Sequence, residues 1–295
     1  MQGSTALSQW TAAGSVRRLA GHDIFVRTAV AAGKPPLLLV HGYPTASYDW
    51  HRVWAPLAAH YSLYACDLLG FGLSEKPAGE PYLISTQADI CQALLAEGSV
   101  DDAHVLAHDY GDTVAQELLA REREGRLRLG SVCLLNGGLF PEVHRARLVQ
   151  KLLAAPVVGP IVARGMNERG FARTLRSICG PTPPSPGELH DLWLLMERNG
   201  GKRALGRLIG YMEQRRRQRE RWVGALVVAR VPLKLICGAV DPISGAHMAA
   251  RYRELVPGAD VTLLAEIGHY PQLEAPDRVV EAYLAFRSQC GAAPR

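Results

Sequence analysis

At 295 residues, 48% of them hydrophobic and 29 of them glycine, the chain has material for one large buried sheet plus an inserted segment. A formal charge of +5, from 33 basic and 28 acidic residues, is too mild to mark a nucleic-acid binder, and the one dense basic run, residues 215–221, reads as a solvated helix face. Cys66, Cys91, Cys133, Cys179, Cys237 and Cys290 show neither disulfide nor zinc-ligand spacing and read as small residues of a reducing compartment, mostly buried. Residues 1–20 lack the order of a signal peptide, and the apolar run 152–163 is broken by Pro156, Gly159 and Pro160. The expectation is therefore a cytoplasmic protein with no membrane and no nucleic acid among its partners.

Taken in chain order, residues 15–29 form two strand-like halves around Gly21, which predicts a leading antiparallel hairpin. Residues 37–40 are a short apolar strand running into His41-Gly42-Tyr43-Pro44, and 48–60 is amphipathic at helical spacing. Strands at 63–66, 103–107 and 131–135 alternate with helices at 86–97 and 113–124. That alternation implies right-handed crossovers and a parallel sheet covered on both faces, with ligands gathering at the strand carboxyl ends. It stops from about residue 139 to 223, where the composition is helical and punctuated by prolines, so this segment reads as a helical cap inserted into a core of 1–138 and 224–295. Strand–helix order then resumes at 233–237, 246–255, 261–264 and 276–287.

A nucleophile that must stand clear of a sheet needs a sharp turn between a strand and a helix. His108-Asp109-Tyr110-Gly111-Asp112 occupies such a place, with an aspartate where an esterase has serine. A carboxylate is already ionised at neutral pH and can displace a leaving group from saturated carbon, forming an ester that water must then cleave. That second step needs a base and an oxyanion site. His269, just past the strand 261–264, is the candidate base, and Asp241, just past 233–237, is its orienting acid; Asn136 at the preceding strand end cannot ionise. Backbone N–H groups of Tyr43 and Tyr110 are the candidate oxyanion donors. His41 and His108 are read as holding turns, Asp67 as a loop-bonding residue, and Asp112 as a helix N-terminal charge.

Together these residues resemble the α/β-hydrolase superfamily, in particular its epoxide hydrolase and haloalkane dehalogenase branch with an H-G-x-P turn and an H-D-W-G elbow. The stretches TASYDW, DLLGFGLSEKP, HDYGDTVAQELL, NGGLFPEVHR, RWVGAL and HYPQLE are similar to the mesoderm-specific transcript subfamily. The resemblance implies an α/β-hydrolase fold, a mostly parallel eight-stranded sheet with an inserted helical cap. It also implies an Asp109, His269, Asp241 triad, with Tyr43 and Tyr110 as oxyanion donors and Tyr211 as a cap phenol that donates to an epoxide oxygen. Residues 141–210 contain no second tyrosine, so His144 is expected to assist Tyr211, and Trp193 to line the pocket. Epoxide hydrolysis to a diol leads, haloalkane dehalogenation is the alternative, and a non-catalytic ligand-binding protein is the alternative from a different class. The expected partners are a small apolar electrophile and water, with no cofactor and no metal; a homodimer is left open.

Overall fold

A computed structural model describes residues 3–292. Eight strands form one sheet in the order β1-β2-β4-β3-β5-β6-β7-β8. The strands are β1 Gly14–Leu19, β2 His22–Ala29, β3 Pro36–Val40, β4 Ser62–Cys66, β5 Asp102–His108, β6 Arg128–Leu135, β7 Leu233–Gly238 and β8 Asp260–Leu264. β1 pairs antiparallel with β2, and β2 antiparallel with β4; every other pairing in the sheet is parallel. The sequence explains the difference. Ala20 and Gly21 both take positive φ and close a tight hairpin, whereas the later strands are separated by helices that force crossovers.

Leu37, Leu38, Leu39 and Val40 are all buried, as a strand in the middle of a sheet covered on both faces requires. Truncating one of them to alanine is expected to cost about 2–5 kcal/mol. Helices α1 Thr5–Ala12, α2 His51–Ala58, α3 Ile84–Glu97 and α4 Tyr110–Arg123 precede the insert. α1 has no counterpart among the elements expected from the sequence. Its short amphipathic stretch buries only Leu7 and Trp10, with Ser4 as its N-cap.

Between β6 and β7 lie α5 Leu148–Ala154, α6 Val158–Gly165, α7 Glu168–Arg176, α8 Pro186–Glu197, α9 Gly201–Leu208, α10 Tyr211–Arg217 and α11 Arg219–Val227, with no strand among the described residues. The proline-rich stretch before α8 is its start signal: Ser185 caps it, Glu188 closes the capping box and Pro186 takes the first turn. The sheet side is completed by α12 Ala246–Leu255, the single turn α13 Pro271–Glu274, and α14 Pro276–Ala292.

Ion pairs tie the insert to the sheet domain. Glu117 on α4 accepts from Arg221 and from the Trp222 indole on α11, and Glu188 on α8 accepts from Arg52 on α2. Among the described residues no helix is long and apolar enough to cross a membrane. All six cysteines are free thiols, and Cys66, Cys91, Cys133 and Cys237 are buried.

Candidate active site

β5 ends at His108, and α4 begins at Tyr110. Asp109 between them adopts φ 49° and ψ −103°, a conformation costly for a residue with a Cβ and one that persists only where its surroundings enforce it. They do enforce it. A Cβ on Gly111 would lie 2.2 Å from the Val40 carbonyl oxygen, and one on Gly42 would lie 2.7 Å from His108 Nδ1 and 3.0 Å from the Asp109 Cβ. Both glycines are needed because three chain segments converge on the elbow.

The Asp109 carboxylate is buried and held from several sides. Oδ2 accepts the Tyr43 N–H at 3.0 Å, while Oδ1 lies 3.9 Å from His269 Nε2 and 4.0 Å from Arg215 Nη2. Tyr110 is the first residue of α4, whose first-turn N–H groups have no partner within the helix. His269 Nδ1 lies 2.7 Å from Asp241 Oδ2. Burial opposes charge on His269, but Asp241 and then Asp109 outweigh it and raise its pKa to about 9. Burial likewise works against the Asp241 anion, yet His269 and hydrogen bonds from the Ile243 N–H and the Asn136 amide hold it at about 2. At rest the histidine is therefore a cation between two carboxylates.

The strand ends also supply the support. Asn136, at φ 46° just past β6, donates to Asp241 Oδ2 and to the Gly238 carbonyl, and accepts the Gly238 N–H. The position that could not carry the acid thus positions it. His108 Nε2 lies 2.7 Å from the His269 carbonyl oxygen, and burial beside His269 lowers the His108 pKa to about 4, so a neutral ring donates to and holds the histidine loop. His41 Nε2 accepts the Leu68 N–H, and Asp67 accepts from the backbone of Ser47 and Leu73, so both bind turns. Asp112 is in the first turn of α4, but burial raises its pKa well above the usual carboxylate value, so it is not the free helix-end charge expected.

The insert delivers two side chains to this centre from α10. The Tyr211 ring lies 4.9 Å from Tyr110 and 6.1 Å from Tyr43, and its buried hydroxyl has no hydrogen-bond partner. Burial and then the Asp109 charge raise its pKa. Arg215, one turn further along, stacks 4.4 Å over the Tyr211 ring, donates from Nε to Thr113 Oγ1 and from Nη2 to the Asp109 carbonyl, and is 3% exposed. This corrects the reading of 215–221 as a solvated face: Arg216 and Arg217 are exposed, but Arg215 is inside the site and Arg221 pairs with Glu117 and Glu124. The signal was present, since a residue four after Tyr211 on a helix shares its face.

His144 is close to Arg215 and has no partner at either ring nitrogen. Trp193 is not brought to the centre; it is buried within the insert against Phe171, 5.6 Å away, with Lys202 over its ring. A cavity of about 60 Å³ runs between Tyr43 and His269 on the sheet side and Leu153, Met166, Phe171 and Leu205 on the insert. Among the described residues no cluster of His, Cys, Asp and Glu could hold a metal ion.

A strained acidic residue between a parallel strand and a helix, with a histidine and an acid at later strand ends, defines an α/β hydrolase site. The chain belongs to the alpha/beta hydrolase family, whose sequence profile matches residues 37–282. It is 42% identical over 295 residues to the mesoderm-specific transcript protein of Mus musculus, covering 96% of this chain and 88% of that one. It is also 37% identical over 286 residues to the putative hydrolase LipZ of Mycobacterium tuberculosis, covering 96% and 98%. Similar solved structures include the haloalkane dehalogenase DbeA of Bradyrhizobium elkani USDA94, with TM-score 0.80 and 21% identity over 95% of this chain and 99% of that one. The epoxide hydrolase CorEH superposes with TM-score 0.78 and 19% identity over 94% and 98%. At these identities the two structures speak to the fold.

Proposed function

We propose that the protein is a hydrolase that works through an alkyl ester on Asp109, and that its electrophile is an epoxide. The observation that carries this reading is the Asp109 carboxylate, held at a strained elbow with the Tyr43 N–H on one oxygen and His269 near the other.

One carboxylate oxygen attacks a ring carbon; the new C–O bond forms as the ring C–O bond breaks, and the ring oxygen takes the Tyr211 proton. Esterification removes the negative charge of Asp109, which is one of the groups raising the His269 pKa, so the first step prepares the histidine to become a base. With Asp109 esterified, His269 releases its resting proton to solvent, and the neutral ring then takes a proton from water as the water oxygen attacks the ester carbonyl. Charge on that carbonyl oxygen falls to the Tyr43 N–H, joined by the Tyr110 N–H. Collapse breaks the ester C–O bond and expels the diol oxygen, which takes the proton from His269; the carboxyl proton left on Asp109 then passes to His269, and solvent restores the Tyr211 proton. The partner-free hydroxyl of Tyr211 beside Asp109 favours an epoxide over a halide, because only the epoxide oxygen needs a proton as it leaves.

The test is His269→Gln treated with 1,2-epoxyalkanes and 1-chloro- or 1-bromoalkanes, followed by mass spectrometry of the peptide bearing Asp109. An epoxide adduct there, with diol release restored in the wild type, is the expected result. Halide release without diol formation transfers the reading to dehalogenation. Absence of any adduct across both panels removes the ester chemistry and leaves ligand binding.

A further inference from the structure

The apolar run at residues 152–163 does not end up in the core. It is folded into a corner between α5 and α6, with Pro156 in the turn, and the fit there is close: a Cβ on Gly159 would lie 2.2 Å from the Leu153 carbonyl oxygen. Leu153 and Ala163 are buried, but Leu148, Leu152, Val157, Val158 and Ile161 stay exposed, Val157 by 77% and Leu148 and Ile161 by 70%. Five of the eleven exposed large hydrophobic side chains among the described residues therefore fall within residues 148–161. Leu148 and Leu152 are four apart on α5, as are Val157 and Ile161 at the start of α6, so each helix turns an apolar ridge to solvent. Single exposed apolar residues need no explanation, whereas a cluster marks a surface that meets something.

The charges around this cluster are of one sign. Residues 143–167 and 201–212, which hold α5, α6 and α9, contain seven lysines and arginines and no acid, in a chain that carries 28 acids. Of the seven, Lys202 alone makes an ion pair among the described residues, with Glu197. Arg147, Lys151, Arg164, Arg203 and Arg207 are exposed. A groove of about 820 Å³ separates the corner from α9 and is lined by Pro156 and Pro160 and by Arg164, Lys202, Arg203 and Arg207. Apolar ridges beside a groove of cations match the two parts of a phospholipid, acyl chain and phosphate. A second copy of the chain in a two-fold pair would set these cations against themselves, and a nucleic acid has no use for the exposed valines and isoleucine.

We propose that the α5–α6 corner docks on the surface of an anionic phospholipid bilayer, with Val157 and Ile161 in the acyl boundary and Arg164, Arg203 and Arg207 among the headgroup phosphates. The exclusion of a membrane from the sequence rested on the lack of a spanning segment, and docking at the surface needs none. The arrangement also serves the site. α5 exposes Leu148 and Leu152 to solvent, while its Val149 and Leu153 line the cavity that His269 faces. An apolar electrophile dissolved in the bilayer thus arrives at the wall of that cavity; this delivery rests on the Asp109 ester reading, and the docking itself does not.

Vesicle flotation measures the docking. The wild type is expected to bind vesicles of equal parts phosphatidylglycerol and phosphatidylcholine about tenfold or more tightly than vesicles of phosphatidylcholine alone, and to release them in high salt. Val157→Ser with Ile161→Ser weakens binding to the anionic vesicles about tenfold, and Arg203→Gln with Arg207→Gln removes the preference for them. Val16→Ser with Val30→Ser, exposed apolar positions in the leading hairpin region, changes neither. Unchanged thermal melting in all three pairs shows that they are folded. Equal binding to both kinds of vesicle, binding to neither, or anionic binding that ignores Val157 and Ile161 overturns the proposal. Self-association in sedimentation that Ile161→Ser abolishes, with no vesicle bound, gives the face to a second copy instead.

For turnover, 1,2-epoxydodecane held in the anionic vesicles is compared with 1,2-epoxybutane in water, and the serine pair is expected to cost the first about tenfold in kcat/KM and the second nothing. If neither epoxide is opened but vesicle binding follows the α5–α6 corner, the ester reading falls and the docking stands. If both are opened and no vesicle is bound, the docking falls and the ester reading stands.

Discussion

The sheet domain and the helical insert build the same site by opposite means. On the sheet side each candidate reactive side chain follows a strand end and is held by its neighbours: Asp109 by a forced φ, His269 by the His108 ring on its carbonyl, Asp241 by the Asn136 amide and the Ile243 N–H. On the insert side Tyr211 and Arg215 come from one short helix, and the Tyr211 hydroxyl and Arg215 Nη1 are left without partners in the buried interior. The sheet side fixes the position of its carboxylates and histidine, and the insert brings a phenol and a guanidinium down onto them.

The largest effect that tests this division is loss of the proposed nucleophile. Asp109→Ala is expected to abolish epoxide turnover, by roughly 10⁴-fold or more, with the cooperative thermal unfolding of the protein kept. A surviving rate within tenfold of wild type moves the chemistry elsewhere. Next is Asn136→Ala, which leaves Asp241 short of one donor and the Gly238 amide short of its acceptor. It is expected to cost about 1–3 kcal/mol in chemical denaturation and to slow release of the ester more than its formation. Equal slowing of both steps would make Asn136 a structural residue only.

The pH dependence of stability follows from His269. Its folded-state pKa near 9 is above the ordinary 6.5, so its charge stabilises the fold fully below about 6.5, and that contribution is lost as pH rises through about 9. Thermal melting from pH 6 to 10 should show this loss in the wild type and lack it in His269→Gln. A parallel decline in both assigns the titration to another group. Smallest is Trp193→Phe, expected to cost about 1 kcal/mol of stability and to leave KM for any substrate unchanged. A shift in KM would bring Trp193 into the site from which the structure separates it.

The same division governed what could be read in the sequence. Strand ends announce themselves, because an apolar run that stops at His-Asp places its last residue at the sheet edge whatever follows, and Asp109, Asp241 and His269, which the fold brings together, were singled out this way. The leading hairpin was legible from Gly21 for a similar reason. The insert offers no such landmark. Helices that pack by their faces require knowledge of which face turns inward, and a run of arginines looks solvated until its neighbours are placed. Arg215 was missed for that reason, and Trp193 was assigned to a pocket although its ring packs within the insert itself. α1 was missed because it buries only Leu7 and Trp10.

The cavity of about 60 Å³ between the sheet domain and the insert limits what the proposed reaction could accept. Water takes roughly 10–15 Å³ on this measure, so there is room for a handful of solvent molecules, against ligand sites that commonly span about 300 Å³ or more. Under the proposed reaction an epoxyalkane of several carbons needs more room than this, so α5, α7 and α9 are expected to separate from the rim formed by Tyr43 and His269 during turnover. Added viscogen should slow steady-state turnover while leaving single-turnover alkylation of Asp109 by pre-bound substrate untouched.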